Sequence, residues 1–123
     1  MLLSAEQFSQ ILSTLRSDAI FGRDSEHRTA PRVGLRMKAT ITCRTASGSN
    51  VRRNVSIRDI SIRGIGLVAS VPMEPAGYFV IVFRGHAESI SVLYRVVRCS
   101  VTTDKQYLVG ARFDRYLGPN AKN

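Results

Sequence analysis

The chain has 123 residues, enough for one compact domain with a real core and too few for two ordinary ones. Its formal charge of +9 and pI of about 10.6 point to a polyanionic partner: nucleic acid, a phosphorylated small molecule or an anionic lipid surface. The excess is concentrated. Residues 23 to 63 hold ten Arg or Lys (23, 28, 32, 36, 38, 44, 52, 53, 58, 63) against three acids (24, 26, 59), a local balance of +7.

The first residues, "MLLSAEQFSQ", lack a basic n-region and a long apolar run, so the reading is no signal peptide, no membrane span and a cytoplasmic setting. In "SAEQFSQILSTLRSDAIF", Phe8, Ile11, Leu12, Leu15 and Ala19 recur at helical spacing, and Ser4 with Gln7 forms a capping-box pattern. This predicts an amphipathic helix of about 14 residues inside an N-terminal unit 1–22. Its stripe can pack on the domain, pair with a second copy or meet a partner protein, and packing on its own domain is the expectation.

Gly22 to Pro31 is polar, charged and without periodicity, and reads as part of an exposed linker, 23–33. Within it "HRTAPR" sets Arg28 and Arg32 four apart, with Pro31 holding Ala30 extended. The planar fork of arginine suits phosphate and guanine O6/N7, so the two side chains can close on a ligand from two sides. Taken alone, they also fit a solvated basic loop.

The period then changes from 3.6 to 2. Met37, Ala39, Ile41 and Cys43 alternate with Lys38, Thr40, Thr42 and Arg44, giving a strand with one dry and one basic face. "ASGSN" reads as a hairpin loop, and "VRRNVSIRDIS", "GIGLVAS", "YFVIVF", "SISVLYRVVRCSV" and "QYLVGARF" as further β runs. Six strands with almost no helix between them predict a mainly β fold, a small six-stranded antiparallel barrel spanning 34–117. The tail 118–123 is expected to fray.

No nucleophile with a base, paired carboxylates or metal-spaced ligands stand out, so catalysis has little support and no cofactor or metal is expected. Cys43 and Cys99 read as two reduced cysteines on strand faces. "DISIRG" is more specific. Along a strand Asp59 and Ser61 share a side, about 7 Å apart, and Gly64 allows close approach. A carboxylate there accepts the N1 and N2 hydrogens of guanine, with a hydroxyl beside it. An ordinary strand end with a turn glycine explains the same residues.

Taken together, R-x-x-x-R, a basic strand, a hairpin and then D-x-S-x-x-G resemble the PilZ domain, the bacterial receptor module for cyclic di-GMP. The resemblance runs from about Glu26 to Phe113 and includes "VVRC" and "YLVGARF". It implies that Arg28 and Arg32 hold phosphates and guanine edges, and that Asp59, Ser61 and Gly64 hold a guanine. Family members that bind an intercalated ligand dimer often carry another arginine where this chain has His27, which points to one ligand or a weaker dimer. Arg98 and Arg112 are further candidate contacts and equally readable as exposed barrel residues. The resemblance implies a receptor that moves its linker and helix on ligand binding and signals to a partner protein. The alternatives are a basic barrel binding RNA or single-stranded DNA, although its first two strands lack stacking aromatics, and a PilZ-like adaptor that binds no nucleotide.

Overall fold

Alternating hydrophobicity decides which side of each strand turns inward, and the computed structural model shows that alternation closed into a barrel. The structure describes residues 2–15, 20–21, 32–44, 48–84 and 88–121. The elements in chain order are α1 (Ala5–Leu15), β1 (Ile20–Phe21), β2 (Arg32–Arg44), β3 (Asn50–Ser61), β4 (Gly64–Ala69), β5 (Tyr78–Arg84), β6 (Glu88–Val101) and β7 (Tyr107–Ala121). Strands β2 to β7 form the antiparallel order β2-β3-β4-β7-β6-β5, and pairing of Ile41–Cys43 with Phe79–Ile81 closes the barrel. Closure removes the open edges that a flat sheet of these strands would expose. β1 adds two residues beside Leu35 and Arg36.

Burial follows the period of 2 in β4 and β5, where Ile65, Leu67, Ala69, Phe79, Ile81 and Phe83 point inward. At the centre Tyr94 stacks on Phe79, with ring centroids 5.6 Å apart, and meets Phe113 edge-on at 6.3 Å. Such pairs add to area burial. Burial pushes the Tyr94 phenol far above its ordinary range, and its Oη has no hydrogen-bond partner among the described residues. An unpaired buried hydroxyl is costly, so Tyr94→Phe is expected to raise stability by about 1 kcal/mol. Urea unfolding checks this; a lower midpoint would mean that the hydroxyl has a partner.

Among the described residues the helix covers Ala5–Leu15, within the stretch whose periodicity suggested it. It begins at the expected capping box, with Ser4 N donating to Gln7 Oε1 and Gln7 N to Ser4 Oγ, both at 3.0 Å. Residues 16–19, Ala19 among them, lie outside the described residues. Leu3, Ile11 and Leu15 are buried in the same apolar cluster as the barrel interior, so the stripe packs on its own domain, against β5 and β6. Leu3 N donates to Ile62 O at 2.9 Å, and Tyr116 Oη donates to Gln10 Oε1 at 3.2 Å.

Strand ends depart from the expected boundaries. β2 starts at Arg32, inside the stretch read as linker, because Arg32, Val33 and Gly34 pair with Ser61, Ile60 and Asp59. β7 continues through the expected tail to Ala121, pairing Gly118, Pro119 and Asn120 with Ser91, Ile90 and Ser89. Beyond Arg112 β7 has no β4 partner, so Pro119 sits where one side of the strand needs no ladder donor. Cys43 and Cys99 are free and half-buried. Burial raises the Cys43 thiol above its ordinary pKa, and nearby Arg53 partly offsets this. Among the described residues no three His, Cys, Asp or Glu are grouped to hold a metal ion, and no helix is long and apolar enough to cross a membrane.

Candidate functional site

A break in the ladder creates the site. In β3, Val55 and Ile57 point inward, and strict alternation would carry Asp59 inward as well. A register shift between Ile57 and Asp59 changes the phase: Ile60 takes the buried position and Asp59 is left half-exposed. Such bulges re-aim side chains.

Asp59 lies over a floor without side chains. Gly66 of β4 pairs with Asp59 on one side and with Gly110 of β7 on the other, and Gly110 pairs with Arg98 of β6. A methyl group on Gly66 would stand 2.9 Å from Asp59 Oδ1, and one on Gly110 would stand 3.0 Å from Arg98 Nε. The carboxylate and the guanidinium stem therefore lie flat on the two glycines. At about 4.8 Å per strand, the row from Asp59 to Arg98 spans about 14 Å. A second register shift, between Val96 and Arg98, leaves Val97 outward and half-exposed at the rim.

These residues line an open groove of about 420 Å³ that also takes in Arg58, Arg63 and Arg112. Four arginines and one carboxylate thus line the same groove. Arg112 also stands directly opposite Arg95 across the β6–β7 ladder. Like charges in that position repel.

Ser61 differs from the expectation that its hydroxyl stands open beside Asp59. It is 4 % exposed, and its Oγ accepts from Arg63 N at 3.1 Å and Gly64 N at 3.2 Å. Its visible work is to close the turn between β3 and β4, since a serine hydroxyl readily satisfies backbone amides two and three residues on. The same turn has two further attachments: Ile62 O accepts from Leu3 N, and Arg63 O accepts from Phe113 N at 2.7 Å. Gly64 packs its α-carbon against the Ala111 carbonyl.

Of the expected site residues, Asp59, Gly64, Arg98 and Arg112 line one groove, with Ser61 directly behind it. Arg32 enters through its backbone, paired with Ser61 at the start of β2. His27 and Arg28 lie outside the described residues. Sequence reasoning missed Gly66, Gly110, Arg58 and Arg63. The two glycines did carry a signal, because glycine inside a strand often marks close approach of a ligand or another backbone.

The barrel and the groove define one class of protein, a small antiparallel β-barrel with an arginine-rich groove on its outer face. The PilZ domain profile matches residues 26–123, and the chain belongs to the PilZ domain family. A search among curated proteins returned no match.

Proposed function

We propose that the groove binds cyclic di-GMP and that the chain is a receptor or adaptor rather than an enzyme. The observation that carries this reading is the pairing of one outward carboxylate, Asp59, with four arginines around a two-glycine floor. Asp59 takes the N1 and N2 hydrogens of a guanine. Arg98, spread over Gly110, offers a planar cation on which a base stacks. Arg58, Arg63 and Arg112 serve the phosphates, and Arg28 and Arg32 of the R-x-x-x-R motif are assigned to the same ligand. General nucleic-acid binding accounts for the charge but not for the single carboxylate on a bare floor.

The signal has a short route to follow in this reading. The turn Ser61–Gly64 borders the groove and also holds the N-terminal segment through Leu3 N and Ile62 O. Ligand that shifts the turn shifts the attachment of α1, and a partner protein that reads the helix would sense it.

Gly66→Ala and Gly110→Ala test the floor. Each methyl presses on a side chain rather than on backbone, so the barrel should hold while Asp59 or Arg98 is pushed aside. Affinity for cyclic di-GMP is expected to fall about tenfold, or about 1.4 kcal/mol, with melting temperature little changed. Unchanged affinity in both variants would remove the floor from the site.

A further inference from the structure

The groove does not end at Arg58. That residue also lines a second depression, of about 470 Å³, with Arg36, Lys38, Ser56 and Val68. A third, of about 500 Å³, shares Lys38, Ser56, Val68 and Gln106 with the second and continues to Thr40 and Asn54. The shared walls make one trough that follows β3 from Asp59 to Asn54, a length of about 17 Å. None of Arg36, Lys38 and Arg58 has an ion pair or side-chain hydrogen bond among the described residues.

We propose that this trough docks an extended acidic segment of a partner protein. Arg36 and Lys38 are two residues apart on one exposed face, a repeat of about 7 Å, which is also the repeat of alternate side chains in an extended peptide. Thr40, Asn54, Ser56 and Gln106 add hydrogen-bonding groups along the walls. No aromatic ring lines the second or third depression, so a nucleic acid would find no stacking platform there. The large exposed hydrophobics, Leu2, Tyr78, Val97, Val101 and Leu117, line neither depression, so these offer a membrane no apolar side chain of that size to insert. A second copy of a chain carrying +9 is repelled rather than attracted.

Fluorescence anisotropy of a labelled decapeptide alternating Glu and Thr, titrated with the nucleotide-free full chain at low salt, provides the test, with a ten-residue oligo(dT) as comparison. The peptide is expected to bind. In Arg36→Glu/Lys38→Glu its affinity should fall about tenfold, since reversing two exposed charges turns attraction into repulsion. Arg84→Glu/Arg115→Glu, with the same change in net charge on exposed residues elsewhere, should change it less than about twofold. No peptide binding, an equal loss in both double variants, or tighter binding of oligo(dT) would each overturn the proposal. Because neither Arg36 nor Lys38 lines the first groove, this test is independent of cyclic di-GMP.

Discussion

Replacing Gly64 by alanine is expected to cost about 3 kcal/mol or more, a large part of the 5–15 kcal/mol that holds a domain of this size together. The added methyl would overlap the Ala111 carbonyl oxygen, and the atoms next in line are also β7 backbone, the Ala111 carbonyl carbon and Arg112 Cα. No side chain can rotate away, so β4 and β7 must separate where they pair Gly64 with Arg112 and Ile65 with Ala111. Gly48→Ala is the informative comparison. Gly48 has φ +89 but nothing within 4 Å of an added methyl, so only the left-handed backbone penalty remains, about 1 kcal/mol. Urea unfolding of the two variants measures the difference. Equal costs would mean that the β4–β7 contact is looser than its geometry indicates. The last glycine of D-x-S-x-x-G thus has a structural reason that precedes any ligand.

Asp59→Asn is expected to leave the barrel intact and to weaken cyclic di-GMP binding by about 3 kcal/mol, roughly a hundredfold. The carboxylate accepts only, and guanine N1 and N2 present two donors. An asparagine turns one of its two oxygens into a donor, which faces a donor and leaves it unpaired. The register shift that turns Asp59 outward is a backbone feature and survives the substitution. Arg32→Ala is expected to lose a similar amount through the phosphate side, because truncating one partner of a charge-assisted pair leaves the other unsatisfied. Calorimetry at fixed salt measures both, with thermal melting as the check on folding. Wild-type affinity in Asp59→Asn would transfer guanine recognition to other residues.

The barrel was largely legible in the residue pattern. Alternation in "LRMKATITCRT" and "YFVIVF" is a local property, and local alternation is what decides which side of a strand is buried. The helix start was legible for the same reason: Ser4 and Gln7 cap within four residues. What could not be read depends on partners distant in sequence. Two register shifts, at Ile57/Asp59 and Val96/Arg98, set Asp59 and Arg98 on one outer face, and no local pattern announces a bulge. Gly66 and Gly110 become a floor only when β4 lies beside β7. The fate of Ser61 was missed because period 2 was applied up to the last residue of β3, where the chain is already turning. The extension of β7 to Ala121 was missed because Gly118 and Pro119 look like terminators, and only pairing with β6 overrides them.

The central claim is that the groove recognises a guanine-bearing cyclic dinucleotide rather than anions in general. Calorimetric titration of the full chain with cyclic di-GMP, GTP and a short oligonucleotide at one salt concentration tests it most directly. Saturable binding of cyclic di-GMP, with GTP and the oligonucleotide weaker, is the predicted result. No heat with cyclic di-GMP, or a response that follows only the charge of the titrant, would contradict it.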